Sequence, residues 1–309
     1  MHRFKNILLV LNSEMEEKAA LDKAISLASE NEARLTLFSV LKEPPGLQGY
    51  SESVAQHQLA SATTERRELL RSLMLPSHEK GIEVEINVGV GICFLEIIRQ
   101  VLREQHDLVI TTAEEKEGIY SHLFGTTVMH LMRKCPCPVL VIKRAQTRPY
   151  SRILAAVAPS EHYSKRDSLN PLILQLAGNM AHREVAELHV VHVLWHFSDH
   201  TGIQHTSEEA QEAKGQVTLQ HKQYFDTLLG EANISSLKPH LHLLEGDPDE
   251  RIPELVKEQN IDLLVMGTVC HTGIAGFLIG NTAEEILNQV NCSVLALKPK
   301  GFVTPVTLE

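Results

Sequence analysis

Short apolar runs alternate with amphipathic segments along the chain. The apolar run at residues 7–11 predicts a buried strand, and the segment after it has the i, i+3, i+4, i+7 apolar spacing of a helix. The apolar residues of that helix are Leu21, Ala24, Ile25 and Ala28, and later strands are predicted at residues 35–41, 84–88, 108–111 and 139–143. Short buried strands that alternate with helices predict βαβ units, and therefore an α/β fold with a doubly wound, mostly parallel sheet.

The same order of elements occurs twice. Asp107-Leu108-Val109-Ile110 recurs as Asp262-Leu263-Leu264-Val265, an offset of 155 residues (262 − 107 = 155). Further landmarks at this offset are Gly91 and Gly246, Gly125 and Gly280, and Cys137 and Cys292. Because chance similarity would not hold one offset over separated landmarks, we predict a tandem duplication with two domains, residues 1–146 and residues 149–309. Each copy is predicted to contain one five-stranded sheet.

One loop of the second copy has residues suited to bind an anion. The candidate binding residues are Met266, Gly267, Cys270, His271, Gly280, Asn281 and Thr282. Gly267 ends a buried strand and Gly280 precedes a helix, so backbone N–H groups and the positive end of a helix dipole are available to phosphate. The same glycines also suit tight turns and a helix cap without any ligand, and both interpretations stay open. His271 is equally consistent with an anion contact and with a solvated loop side chain.

The loop and the repeat together resemble the universal stress protein family. The nucleotide loop of that family reads Gly, two residues, Gly, nine residues, Gly and then Ser or Thr, and its closing strand follows Cys-Pro. Gly267 and Gly280 stand at the first and third glycine positions, and Cys270 replaces the middle glycine. In the first copy only Gly125 remains of the three, and Cys137-Pro138-Val139 matches the start of the closing strand. The resemblance covers nearly the whole chain, twice.

The resemblance implies weak binding of an adenine nucleotide, ATP or AMP, by the loop residues of the second copy, with no cofactor required. The aspartate that contacts adenine in the family corresponds to Asn12 in one copy and Ala158 in the other, and neither offers a carboxylate. Glu114, Glu115 and Glu117 place negative charge in the loop of the first copy. Like charges about 4 Å apart repel by about 4 kcal/mol at a protein surface. The first copy is therefore not expected to bind ATP.

The resemblance also implies an adenine nucleotide α-hydrolase-like fold in each copy and an internal dimer. In that dimer the closing strands of the two copies pair across a pseudo-twofold axis, and a homodimer of the whole chain is allowed in addition. We expect a stress-response binding or signalling module rather than an enzyme, because the sequence shows no set of nucleophile, base and orienting group, and we assign no catalytic residue. A slow ATP hydrolase and a binder of an apolar or metal-linked ligand are the alternatives.

Composition and charge narrow the class of protein further. The chain has 309 residues, with 29 Lys plus Arg and 39 Asp plus Glu, for a formal net charge of −10. Direct DNA binding is not expected, because phosphate neutralisation supplies much of the affinity of DNA-binding proteins. No segment approaches the roughly 18 apolar residues of a membrane span, so we expect a cytoplasmic protein without membrane insertion. Five scattered cysteines argue against a disulfide framework.

Histidines are unusually numerous, at 17. Four of them lie in predicted strands of the second copy: His189, His192, His240 and His242. In the polar segment after the first of these strands, His196 and His200 have an i, i+4 spacing that suits a transition-metal site. Scattered surface and strand histidines are the simpler interpretation, and we therefore predict no metal ligand.

Overall fold

The structure, a computed structural model, describes residues 4–11, 18–43, 52–74, 81–113, 124–143, 148–158, 169–194, 208–232, 234–268 and 280–308. These residues form two compact units. The first contains the described residues up to 143 together with residues 302–308, and the second contains those from 148 to 301. The predicted boundaries, 1–146 and 149–309, stay a prediction, and the structure groups the last residues of the chain with the first unit. Arg99 contributes to this grouping, because its Nε donates a hydrogen bond to the Thr307 carbonyl (3.2 Å).

The first unit is a five-stranded sheet with helices between its strands. In chain order its elements are β1 (Asn6–Val10), α1 (Lys18–Asn31), β2 (Arg34–Leu41), α2 (Glu52–Ser72), β3 (Val84–Val90), α3 (Cys93–Glu104), β4 (Leu108–Thr112), α4 (Thr126–Lys134) and β5 (Val139–Ile142). The strand order is β3-β2-β1-β4-β5, and every neighbouring pair is parallel. The strands β1 and β4 are buried along their whole length, as expected of central strands in a parallel sheet.

The second unit repeats this architecture. Its elements are β6 (Arg152–Ala156), α5 (Leu169–Glu184), β7 (Glu187–Leu194), α6 (Glu208–Glu231), a 3-10 turn (Ser235–Leu237), β8 (His240–Glu245), α7 (Pro248–Glu258), β9 (Leu263–Gly267), α8 (Asn281–Gln289) and β10 (Ser293–Leu297). The strand order is β8-β7-β6-β9-β10, again with parallel neighbours. The predicted α/β fold with a mostly parallel, doubly wound sheet is therefore confirmed.

The strand order reverses at the same place in both units. β1 lies between β2 and β4, and β6 lies between β7 and β9, so the chain builds outward from the first strand in both directions. Ligands of doubly wound sheets bind beyond the carboxyl ends of the strands at such a switch point. In the second unit, this rule directs attention to the carboxyl ends of β6 and β9.

The repeated aspartate fastens the start of the first strand in each unit. The Asp107 carboxylate accepts hydrogen bonds from the backbone N–H groups of Lys5 (2.6 Å) and Asn6 (3.0 Å). Asp262 accepts the equivalent two bonds at the start of β6, at 2.7 and 3.0 Å. The aspartate of the repeated motif therefore has a structural role at the amino ends of the strands, away from the switch point.

The repeated glycine before the third helix of each copy has a backbone reason. Gly91 has a φ of +136° and Gly246 a φ of +124°, values that residues with a side chain rarely adopt. Gly91 lies between β3 and α3, and Gly246 lies between β8 and α7. The two units therefore have the same turn at the same point of the repeat, and glycine adopts its backbone conformation without strain.

Among the helices of the described residues, none combines the length and the apolar character needed to cross a membrane. The expected internal dimer of the two copies, and the homodimer that the resemblance allows, stay predictions.

Candidate functional site

The carboxyl ends of β9 and β10 hold most of the predicted loop residues. Those that the structure describes are Met266, Gly267, Gly280, Asn281 and Thr282. Met266 and Gly267 are the last two residues of β9, and Gly280 is the N-cap of α8. Cys270 and His271 lie outside the described residues. The Met266 side chain is buried, so only its backbone is available to a ligand.

Thr268 ties the start of the loop to its end. Its backbone N–H donates to the Leu297 carbonyl (3.1 Å), and its own carbonyl accepts a hydrogen bond from the Gly280 N–H (3.2 Å). The N-cap of α8 therefore lies directly beside the residue that follows β9. The first N–H groups of a helix have no partner within the helix. The positive end of the α8 dipole therefore lies beside Thr268.

Lys298 brings a formal positive charge to the same neighbourhood. It follows β10 directly and is buried, with 7 % of the residue exposed. Its Nζ donates a hydrogen bond to Thr268 Oγ1 at 2.6 Å. A buried ammonium is costly unless polar groups or an anion compensate it. The site therefore concentrates positive potential at the edge where the fold places ligands.

The first copy lacks this pair. At the offset of 155 residues, Thr268 corresponds to Ala113 and Lys298 corresponds to Lys143. Ala113 has no hydroxyl, so the hydrogen bond from the lysine to a threonine cannot form there, although Gly125 is the N-cap of α4 as Gly280 is of α8. The predicted features of the first copy that lie outside the described residues are Asn12, Glu114, Glu115 and Glu117.

Packing accounts for Gly267. A Cβ atom at this position would lie 2.7 Å from Leu169 Cδ2 and 4.0 Å from Ile173 Cδ1, both on α5. Gly280 has a φ of −61°, which other residues also adopt. Neither glycine is required by a left-handed backbone, so Gly267 is explained by the close approach of α5 and Gly280 by its place as a helix cap.

Asn170 forms hydrogen bonds with Ala158, the residue that corresponds to the adenine-contacting aspartate of the family. Its Oδ1 accepts a hydrogen bond from the Ala158 N–H, and its Nδ2 donates one to the Ala158 carbonyl, both at 3.1 Å. Asn170 is buried on α5, whereas Ala158 is exposed, so the two hydrogen bonds are partly buried. Both backbone groups of Ala158 are engaged, and its methyl group cannot read a base. Sequence reasoning missed Asn170, because no spacing rule marks this contact between a strand end and the next helix.

Acidic side chains lie on the first turns of α8. Glu284 and Glu285 follow its first three residues, and the hydrogen bond and charge of Asp249 raise the pKa of the Glu285 carboxyl. Their negative charge opposes an anion at the helix start and limits the affinity that Lys298 can supply.

Comparison with known proteins gives the class to which this fold and site belong. The model of the universal stress protein family matches residues 3–143 and again residues 149–298. The chain therefore belongs to the universal stress protein family, with two family domains in tandem, and the predicted family is confirmed.

Its relatives include proteins that it matches over nearly their whole length. The chain is 28 % identical to the universal stress protein E homolog of Haemophilus influenzae, over 96 % of this chain and 98 % of that protein. It is 27 % identical to universal stress protein E of Salmonella typhi, over 100 % and 99 %. A functionally unknown protein of Pseudomonas aeruginosa PAO1 has a similar structure, with a TM-score of 0.72 and 26 % identity over 96 % of this chain and 94 % of that one. A universal stress protein of Archaeoglobus fulgidus shares the fold, with a TM-score of 0.63 and 18 % identity over 95 % and 98 %.

Proposed function

We propose that the chain acts in the stress response by binding, and that its second copy binds ATP or AMP weakly, through the phosphate groups. The hydrogen bond between Lys298 Nζ and Thr268 Oγ1 carries this proposal, because it holds a buried positive charge beside the start of α8. An ammonium and a helix N-terminus both favour phosphate. The remaining predicted residues, Cys270 and His271 among them, complete the proposed binding loop.

The base is expected to contribute little to this binding. Asn170 engages both backbone groups of Ala158, and Ala158 itself has no polar side-chain atom to offer. Without a hydrogen bond to the base, the site has little means to distinguish one base from another. We therefore propose that the second copy binds purine nucleotides with little distinction between adenine and guanine.

The proposed activity is binding without chemistry. Thr268 Oγ1 is a hydroxyl near the proposed phosphate position; it accepts a hydrogen bond from the Lys298 ammonium and donates one to the Leu297 carbonyl (3.5 Å). Nucleophilic catalysis by a hydroxyl needs an adjacent base. A slow ATP hydrolase is the rival, and phosphate release that is lost in Gly280→Val would support it.

Calorimetric titration of the full chain with ATP, AMP and GTP tests the proposal. Lys298→Met keeps the length of the buried side chain and removes its charge, so the Kd for ATP should rise at least about tenfold, the size expected for a charged hydrogen bond. Lys300→Met is the matched control, because Lys300 is exposed two residues further along. We expect its Kd to stay within about twofold of the unmodified chain, and the Kd values for ATP and GTP to agree within about threefold.

Two results would overturn the proposal. Absence of heat with any nucleotide at millimolar concentration, while the protein is folded, would show that no nucleotide binds. A strong preference for ATP over GTP would show that the base is read in spite of Asn170.

A further inference from the structure

A cluster of histidines and one glutamate lies at the amino end of the second sheet. The pair His196 and His200 lies outside the described residues, but His189 on β7 and His240 on β8 are directly opposite each other in the parallel register. Glu187 precedes His189 by two residues, and side chains two residues apart on a strand share one face of the sheet. The topology therefore brings Glu187, His189 and His240 to one face and one edge.

Each of these three side chains offers a ligand atom, and the three atoms lie within 4.8 Å of one another. His189 Nε2 is 3.8 Å from Glu187 Oε2, and the rings of His189 and His240 stack with their centroids 4.8 Å apart. A distance of 3.8 Å is too long for a hydrogen bond. The cluster therefore has the residue types of a transition-metal site, and His189 Nε2 is not hydrogen-bonded to the Glu187 carboxylate.

His189 is held in place from behind. Its Nδ1 is 3.0 Å from His242 Nε2, and the planes of the two stacked rings are nearly parallel, at an angle of 6°. The His189 side chain is 4 % exposed, and its Nε2 is a buried nitrogen without a hydrogen-bond partner among the described residues. Buried polar atoms nearly always have a partner. The orphaned Nε2, aimed toward a carboxylate, is the feature that the fold by itself leaves unexplained.

The contact between His189 Nδ1 and His242 suits a ligand role for His189 Nε2. When Nδ1–H donates to His242, Nε2 carries the lone pair. Metal-bound histidines usually donate their other ring N–H in this way, which fixes the ring and its tautomer.

We propose that Glu187, His189 and His240 bind a divalent transition-metal ion of the Zn²⁺ class. Two imidazoles and one carboxylate form a three-residue zinc set that leaves a fourth position for water or another ligand. Nitrogen ligands favour Zn²⁺ over Mg²⁺ and Ca²⁺, which take oxygen ligands. Ligand atoms on tetrahedral zinc lie about 3.4 Å apart. The Glu187 and His240 side chains are exposed and have room to move closer, while His189 is oriented by His242.

Arg152 opposes the metal. Its Nε donates a hydrogen bond to Glu187 Oε2 at 3.0 Å. A cation at the site must share or displace this partner. Removal of the guanidinium in Arg152→Met should therefore tighten metal binding, by several-fold, whereas removal of a ligand should weaken it.

Zinc binding to the metal-free full chain, measured with a competing chromophoric chelator, tests the proposal. We expect one tight site per chain, and at least about tenfold weaker binding at it in Glu187→Gln and in His240→Ala. Both residues are exposed, so neither substitution should prevent folding. His57→Ala is the control: this exposed histidine of the first unit should leave the tight site unchanged.

Substitution of His242, which orients His189, gives a further test of the zinc site. His242→Ala removes no proposed ligand, yet it should weaken zinc binding about 10- to 100-fold through the loss of the bond that orients His189. Tight binding that persists unchanged in both Glu187→Gln and His240→Ala would overturn the proposal and place the metal elsewhere. The absence of any tight site in the unmodified chain would overturn it as well.

Discussion

At the scale of single residues, Lys298 and Asn170 divide the proposed nucleotide site into two halves. Lys298 supplies charge where phosphate would bind, and Asn170 removes the backbone groups of Ala158 from the half where a base would be read. Each effect depends on one buried polar side chain. Substitution of such a residue therefore changes one half of the site without the other, which is why Lys298→Met tests phosphate binding in isolation.

His106 gives a pH dependence that belongs to one residue. Burial is the main cause that lowers its pKa to about 4 from an ordinary value of 6.5, and the charge of Arg34 acts in the same direction. At a pH between these two pKa values, His106 is protonated in the unfolded chain and neutral in the folded chain. The free energy of unfolding therefore falls as the pH falls. Linkage gives a loss of about 2 kcal/mol from His106 between pH 7.5 and pH 5.0.

Urea unfolding at these two pH values checks the prediction. In His106→Gln the loss of stability on acidification should be smaller than in the unmodified chain by about 2 kcal/mol. His57→Gln, at an exposed position, should keep the full loss. Equal losses in all three proteins would show that His106 does not carry this pH dependence.

At the scale of elements, the aspartate clamps predict matched effects in the two units. Asp262→Ala leaves two backbone N–H groups at the start of β6 without their carboxylate acceptor, and Asp107→Ala does the same at β1. Hydrogen bonds to a charged group contribute about 2 kcal/mol each, less where water replaces the acceptor. Each substitution should therefore destabilise its own unit by about 2 kcal/mol.

Hydrogen exchange followed by mass spectrometry localises the effect. Asp262→Ala should lower protection in β6 and β9, and Asp107→Ala should lower it in β1 and β4. Asp22→Ala, at an exposed position on α1, should change neither set. A clamp variant whose exchange matches the unmodified chain would show that water replaces the carboxylate without loss.

The inner strands, such as β1 and β9, were predictable because they are apolar runs, as strands buried on both faces must be. The strand predicted at residues 84–88 extends to Val90, and the others named above end within one residue of the prediction. The contacts of the site could not be predicted in the same way. Lys298 meets Thr268 across two neighbouring strands, and Asn170 meets Ala158 across a strand–helix connection. One signal was available for the first pair: the repeat aligns Thr268 with Ala113, and this difference marks the copy that holds the pair.

At the scale of the whole molecule, the two units share the fold, and both proposed sites lie in the second unit. Within the second unit, the proposed zinc site lies at the amino ends of β7 and β8, and the proposed nucleotide site lies at the carboxyl ends of β9 and β10. The two sites share no residue and lie at opposite ends of one sheet. Zinc binding should therefore survive Lys298→Met, and ATP binding should survive His240→Ala, so that failure of one proposal leaves the other standing.

Residues 302–308 belong to the first unit, although they follow the second unit in the sequence. Removal of the end of the chain is therefore expected to affect the first unit. Val306 is buried, and the Thr307 carbonyl accepts a hydrogen bond from Arg99 on α3. Deletion of residues 302–309 removes this buried apolar side chain and this hydrogen bond, worth about 2–3 kcal/mol together. We expect faster hydrogen exchange in α3, with exchange in β9 and β10 unchanged.

A pair of identical substitutions distinguishes packing from chain length. Val306→Ser should reproduce most of the effect of the deletion, because it removes the buried apolar group and keeps the chain intact. Val303→Ser should have none, because Val303 is 75 % exposed. If the deletion instead accelerated exchange in β9 and β10 and left α3 protected, the tail would stabilise the second unit, contrary to the hydrogen bond between Arg99 and Thr307.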